Sequence, residues 1–139
     1  MGRSEWVDTS TILAACWSNK GLSRLLIEYA PKANWRLVTA DYRISEVEKN
    51  VGKHSAGAVD WVRIVRARLE SVGSAYVLDR PIFFDATEDK PVILAAIGGD
   101  ADYLVTSDTT DFAHIHGTVV YGVEVRTPKS FLQGMGVVA

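Results

Sequence analysis

Four acidic residues lie where the predicted strands and helices of this 139-residue chain begin or end, and they are Asp8, Glu46, Asp89 and Asp108. A parallel α/β sheet brings the carboxyl ends of its strands together at one edge, so carboxylates that are far apart in sequence can meet in one cleft. Carboxylates that converge without matching bases repel one another, and a divalent cation relieves this repulsion. The sequence therefore predicts metal-dependent chemistry.

Apolar residues alternate between strand-like runs and helical spacing along the whole chain. This alternation is typical of βαβ units and predicts a mostly parallel sheet. Strands are predicted at residues 5–7, 35–39, 75–78, 103–106 and 123–126, the last with the alternation of an edge strand. Helices are predicted at residues 11–18, 22–29, 44–51, 58–72, 91–97 and 128–132, and Pro31 is expected to end the second. The length predicts a single domain, residues 1–139.

Composition sets limits on partners and compartment. The net charge of −2 neither indicates nor excludes a nucleic-acid partner, because binding depends on local patches. No apolar run reaches the roughly 18 residues of a membrane span, and the start of the chain has no signal-peptide core, so no membrane association is expected. Cys16 is the one cysteine and cannot form an internal disulfide, which favours a reducing cytoplasm. Its apolar neighbours predict a packed, inert thiol.

Longer motifs around these acids follow one another in a recognisable order. They are Val7-Asp8-Thr9-Ser10, residues 38–47, residues 89–97, residues 101–108, and residues 125–132, and they span nearly the whole chain. The ordered set resembles the PIN-domain nucleases, the ribonuclease fold of VapC-type toxins. The resemblance implies a three-layer α/β/α domain with a mostly parallel sheet of four or five strands. It also implies a metal-dependent endoribonuclease that acts on RNA, is paired with an antitoxin protein and forms a homodimer.

The resemblance also implies roles for individual residues. The implied catalytic acids are Asp8, Glu46, Asp89 and Asp108. The implied ligands of Mg²⁺ or Mn²⁺ are Asp8, Asp89, Asp108 and Asp111, and the hydroxyls beside the site are those of Ser10 and of either Thr106 or Ser107. Hard oxygen ligands favour Mg²⁺ or Mn²⁺ over Zn²⁺, and the sequence has no His/Cys set at zinc spacing. Glu88 leaves the identity of the third ligand open by one residue.

Other interpretations of the same residues stay open. Asp8, before Thr9 and Ser10, can serve only as a helix cap, and Glu46 can lie on a solvated helix face. Five basic residues are candidates for binding the RNA backbone, and each could instead lie on a solvated helix face. These residues are Lys20, Arg24, Lys53, Arg63 and Arg66.

Rival functional classes are distinguished by single positions. A phosphoacceptor receiver domain has its late Lys before a Pro, whereas this chain has Pro128 before Lys129. A DxDxT phosphotransfer hydrolase needs a second Asp where Ser10 stands. Two alternatives remain within the PIN fold. One is a catalytically silent module that binds RNA or protein, and the other is an RNA-processing nuclease outside toxin–antitoxin systems.

Overall fold

Strands and helices alternate in the computed structural model, which describes residues 4–54, 57–72, 102–107, 119–120 and 123–139. The strands are β1 (Ser4–Val7), β2 (Arg36–Ala40), β3 (Glu70–Val72), β4 (Tyr103–Val105), β5 (Val119–Val120) and β6 (Val123–Arg126). The α-helices are α1 (Thr9–Trp17), α2 (Leu22–Ala33), α3 (Asp41–Asn50), α4 (Gly57–Asp60) and α5 (Pro128–Gly134). A 3₁₀ turn, Val51–Lys53, follows α3, and α4 continues as a π-helix, Trp61–Val65, and a 3₁₀ turn, Arg66–Arg68.

The described strands form one sheet in the order β3-β2-β1-β4-β6-β5. Strands β3, β2, β1, β4 and β6 are parallel, and the two-residue β5 is antiparallel to β6. The chain first builds the sheet from β1 outward through β2 to β3, and then places β4 and β6 on the other side of β1. The direction therefore reverses between β1 and β4, where α/β folds commonly bind ligands. The predicted α/β class with a mostly parallel sheet is confirmed.

The described helices pack on one another and bury a continuous apolar core. Helix α1 contacts α2, α3 and α4, and α2 also contacts α5. The fully buried side chains of this core include Ile12 of α1, Leu26 and Ile27 of α2, and Val47 of α3. Phe131 of α5 packs edge-on against the ring of Trp35, with ring centroids 4.9 Å apart. Among the described residues, no helix is both long and apolar enough to cross a membrane.

Two predicted helix ends are wrong. The helix predicted to run to residue 72 ends at Arg68, and Glu70–Val72 instead forms β3, parallel to β2. Helical spacing of apolar residues does not reveal that a neighbouring strand offers hydrogen bonds, so tertiary pairing decides this segment. Helix α2 continues past Pro31 to Ala33 and ends at Asn34 in a left-handed conformation, φ 59°. Proline removes one donor near the helix end, where the loss is tolerated.

The last described strand also differs from the prediction. Strand β6 alternates buried and half-buried residues as expected, but it lies between β4 and β5 and is not an edge strand of the described sheet. The strand predicted at residues 75–78 and the helix predicted at residues 91–97 lie outside the described residues.

Candidate active site

Asp8 stands at the point where the sheet reverses direction, directly after β1. It is the N-cap of α1, and its Oδ1 accepts a hydrogen bond from the Thr9 N–H at 2.8 Å. The Asp8 N–H donates to the Val105 carbonyl of β4 at 3.0 Å. The side chain is 5% exposed. Asp8 therefore caps α1, but this cap uses one carboxylate oxygen and leaves the second to other partners.

That second oxygen is held by two hydroxyls. Thr106, directly after β4, donates to Asp8 Oδ2 at 2.8 Å, and Ser10 donates to the same atom at 3.1 Å. The Thr106 side chain is buried, and Ser10 is half-buried. Side chains from the ends of β1 and β4 therefore fix the orientation of one carboxylate. The structure brings Ser10 and Thr106 to Asp8 as the sequence predicts.

A second hydroxyl pair extends this network. Thr11 and Ser107 lie with their hydroxyl oxygens 3.1 Å apart, and the Ser107 N–H donates to Ser10 Oγ at 3.1 Å. Thr11 is not among the residues for which the sequence predicts a role. The signal was present in the sequence, because three consecutive hydroxyl residues, Thr9 to Thr11, follow Asp8 and two more follow β4.

Glu46 lies on the helix that begins at this edge of the sheet, one strand away from Asp8. It belongs to α3, which begins at Asp41 directly after β2, the strand beside β1. Its carboxylate is 43% exposed and pairs with Arg43 Nη1 at 3.1 Å. Helix α3 packs against α1, the helix that Asp8 caps. Glu46 therefore lies on a helix packed against the one that Asp8 caps, and its carboxylate is partly exposed to solvent.

The remaining predicted acids cannot be placed relative to Asp8. Asp89, Asp108 and Asp111 lie outside the described residues, as does Glu88. Over the ranges that the structure describes, no three His, Cys, Asp or Glu side chains lie together as a metal-binding group would require. The metal site therefore stays a prediction.

The donor chemistry around Asp8 fits a hard divalent cation. Each carboxylate oxygen has two lone-pair positions, and Oδ1 accepts a single hydrogen bond within the described part of the chain. The side chains of Asp8, Ser10 and Thr106 can offer a metal ion only oxygen atoms as ligands. Oxygen donors favour Mg²⁺ or Mn²⁺ over softer metals.

Arg24 does not have the environment of an RNA-binding residue. It is 3% exposed, its Nε donates to the Ala15 carbonyl at 2.8 Å, and its Nη2 pairs with Asp60 Oδ2 at 2.5 Å. The guanidinium thus joins the end of α1 to α4 inside the protein. The predicted RNA contact of Arg24 is contradicted by this burial. The other four predicted contacts are exposed and stay predictions, and they are Lys20, Lys53, Arg63 and Arg66.

Cys16 is a buried free thiol, as the sequence predicts. Burial raises the pKa of the thiol from 9.0 to about 11, and this outweighs the opposing effect of the Arg24 charge. We expect Cys16 of the folded protein to react with a maleimide at pH 8 at least about 100-fold more slowly than the urea-unfolded chain, because the thiolate is the nucleophile. Equal rates in the two states, measured by mass spectrometry, would contradict this assignment. Because the folded state has the higher pKa, this thiol's contribution to stability declines as pH rises from 9.0 towards about 11.

The sequence matches no family model and no curated protein. One similar structure is the crystal structure of VapBC2 from Rickettsia felis bound to a DNA fragment from their promoter. It is 14% identical, the match covers 89% of this chain and 98% of that chain, and the TM-score is 0.61. Another is the crystal structure of DNA-bound VapBC from Salmonella typhimurium, which is 15% identical over 92% of this chain and 99% of that chain, with a TM-score of 0.56.

The chain shares their fold. The fold implied by the resemblance to PIN-domain nucleases is thereby confirmed. At this level of sequence identity the likeness concerns the fold alone, and it does not identify the chemistry of the site.

Proposed function

We propose that the protein is a metal-dependent endoribonuclease that hydrolyses RNA phosphodiester bonds and acts as the toxin of a toxin–antitoxin pair. The observation that carries the proposal is the Asp8 carboxylate, held by the Thr9 N–H and two hydroxyls where the sheet reverses direction. The antitoxin partner is proposed by analogy with the two similar structures, which are VapBC assemblies bound to DNA. The substrate class rests on the acids that the sequence predicts for this edge.

The protein's own residues have distinct roles in this proposal. Asp8 would bind Mg²⁺ or Mn²⁺ through the lone pair that remains on Oδ1, together with the predicted ligands Asp89, Asp108 and Asp111. A bound ion supplies an activated water and stabilises negative charge on the phosphate. Ser10 and Thr106 keep the Asp8 carboxylate in one orientation through their hydrogen bonds to Oδ2. Glu46 carries a negative charge on the helix packed against α1, and Arg43 partly neutralises it.

A cleavage assay tests the function directly. Purified protein is incubated with a panel of structured RNAs in Mg²⁺ or Mn²⁺, with EDTA and an Asp8→Asn variant as controls. We expect the wild type to cleave RNA, and we expect EDTA and the Asp8→Asn substitution each to abolish this cleavage. Cleavage that persists in both would indicate a contaminating nuclease or another mechanism. If no RNA is cleaved, the catalytically silent binding module is the better description.

Metal binding is expected to stabilise the protein. A ligand present at about 100 times its Kd adds about 2.7 kcal/mol to the unfolding free energy, which corresponds to roughly 10 °C in Tm for a domain of this size. Differential scanning fluorimetry with Mn²⁺ measures the shift. Asp8→Asn should remove it. Asp102→Asn is the matched control, because Asp102 lies at the opposite end of the sheet, before β4, and accepts from the Ser4 N–H at 3.0 Å. A shift that survives in Asp8→Asn would place the ion elsewhere.

Association with other chains is also proposed, as a homodimer that binds an antitoxin. Two valines support it, because Val59 and Val62 are 52% and 73% exposed on the surface of α4 and the π-helix that continues it. Exposed apolar groups of this kind favour protein contacts when they lie together. Light scattering of the purified protein is expected to give twice the chain mass. A single-chain mass over a wide concentration range would contradict the homodimer.

A further inference from the structure

A cleft with a volume of about 350 Å³ opens at Ser107, the residue that follows Thr106 in the chain. Its walls come from the second half of α1, the first residues of α2, the first residues of α5, and Ser107 after β4. Small-molecule sites span roughly 300–1,000 Å³, so the cleft has room for one compact organic group. None of the roles proposed above uses it.

Ser107 lines the cleft and is also hydrogen-bonded to the candidate active site. The Ser107 N–H donates to Ser10 Oγ at 3.1 Å, and Ser10 Oγ donates to Asp8 Oδ2 at 3.1 Å. The wall of the cleft is therefore two hydrogen bonds away from the carboxylate. A phosphate held near Asp8 would have its neighbouring nucleotide within reach of the cleft.

The lining combines apolar surface with few polar groups. Ala14, Leu22 and Pro128 contribute apolar surface. Ser23 lines the same cleft and is 7% exposed, yet its hydroxyl forms no hydrogen bond with any residue that the structure describes. A hydroxyl that lines a cleft without a hydrogen-bond partner can donate to or accept from a ligand. Pockets of this type orient an apolar ligand by a few polar contacts.

Two further features supply hydrogen-bond donors and positive charge. Gly21 is the N-cap of α2 and provides no side-chain hydrogen bond to the first turn, so backbone N–H groups at this end lack a cap. Lys129 is exposed and also lines the cleft. Its ammonium group suits the backbone phosphate of a nucleotide whose base enters the cleft.

We propose that the cleft binds the nucleobase next to the scissile phosphate of single-stranded RNA, and that Ala14 and Ser23 determine which base is preferred. The proposal rests on the proposed nuclease function, because Asp8 defines the scissile position. A nucleobase has flat apolar faces and a polar edge, which match the lining, whereas a phosphate alone would leave the apolar walls unused. Sequence-specific RNA recognition commonly uses unpaired bases that are splayed out in this way.

Cleavage-site sequencing on a randomised single-stranded RNA tests the proposal. The wild type is expected to prefer one base next to the cut by about tenfold. Ala14→Leu fills the cleft and should reduce the preference to below about twofold, whereas Ala67→Leu, at an exposed position, should leave it unchanged. Ser23→Ala should reduce it about fivefold, as expected for one lost hydrogen bond, with the exposed Ser71→Ala as control. Lys129→Ala should weaken all sequences equally.

Binding of the same RNAs in EDTA, measured by fluorescence anisotropy, separates the cleft from the nuclease function. Base-dependent binding that Ala14→Leu removes, without any cleavage in Mg²⁺ or Mn²⁺, supports the cleft and overturns the nuclease. Cleavage with a preference that Ala14→Leu and Ser23→Ala leave unchanged supports the nuclease and overturns the cleft. Cleavage with no base preference in the wild type also overturns it. If Ala14→Leu fails to fold, Ser23→Ala decides the question.

Discussion

Replacing Asp8 by Asn is expected to lower kcat/KM for RNA cleavage by about 100-fold or more, a loss of about 3 kcal/mol in transition-state stabilisation. Asparagine has nearly the same shape, and its Oδ1 can still accept from the Thr9 N–H that caps α1. The amide carries no charge to hold a divalent cation, so the loss falls on catalysis and spares the fold. Single-turnover cleavage over a range of Mg²⁺ concentrations measures the effect.

The control for this substitution is Asp102→Asn, which removes the same charge from the opposite end of the sheet. It should cleave at nearly the wild-type rate. Thr106→Val tests whether the hydrogen bond that orients the Asp8 carboxylate matters. Valine keeps the shape of threonine and removes the 2.8 Å hydrogen bond to Asp8 Oδ2. Lost support of this kind costs about 10–100-fold in metal affinity or activity, and Thr106→Ser should restore most of it. An Asp8→Asn protein that is folded and fully active would refute the assignment of the site.

The residues of this site that the sequence could predict lie at the ends of strands. Asp8 and Thr106 end neighbouring parallel strands, so the alternation of strands and helices was enough to place them at one edge. The pairing of their side chains follows from that placement. The position of Glu46 was less determined, because a helix residue six positions after β2 can face the site or solvent, and its carboxylate is half exposed.

The rest depends on contacts that no local pattern records. Glu5 is fully buried in β1, in register with Leu37 of β2 and Tyr103 of β4, although an acidic residue in a strand would ordinarily indicate an exposed face. The helical spacing of apolar residues predicted a helix to residue 72, but Glu70–Val72 pairs with the neighbouring β2 as a strand. A basic residue in the first turn of a helix resembles a surface residue in sequence, and only the packing of α1, α2 and α4 encloses Arg24.

Replacing Arg24 by Met is expected to lower the unfolding free energy by about 3 kcal/mol, at the lower end of the range for breaking a buried ion pair. Methionine keeps the apolar stem but leaves the Ala15 carbonyl and the Asp60 carboxylate without their partner. Asp60 is 24% exposed, so water can stabilise part of its charge, and this moderates the loss. Urea denaturation measures the change, with the slope of the transition compared between variants.

Arg36→Met is the matched control, because Arg36 pairs with Glu70 at 3.0 Å while both side chains are about half exposed, at 49% and 51%. Pairs of this kind contribute less than about 1 kcal/mol. A double-mutant cycle with Asp60→Asn then separates the Asp60 share of the Arg24 loss from the share of the other partners, the Ala15 carbonyl and the Glu28 carboxylate at 3.6 Å. A coupling energy of about 1–2 kcal/mol assigns much of the loss to Asp60, and a value near zero assigns it to those other partners. If Arg24→Met is as stable as the wild type but binds RNA more weakly, Arg24 contacts RNA after all, and its buried pair has no structural role.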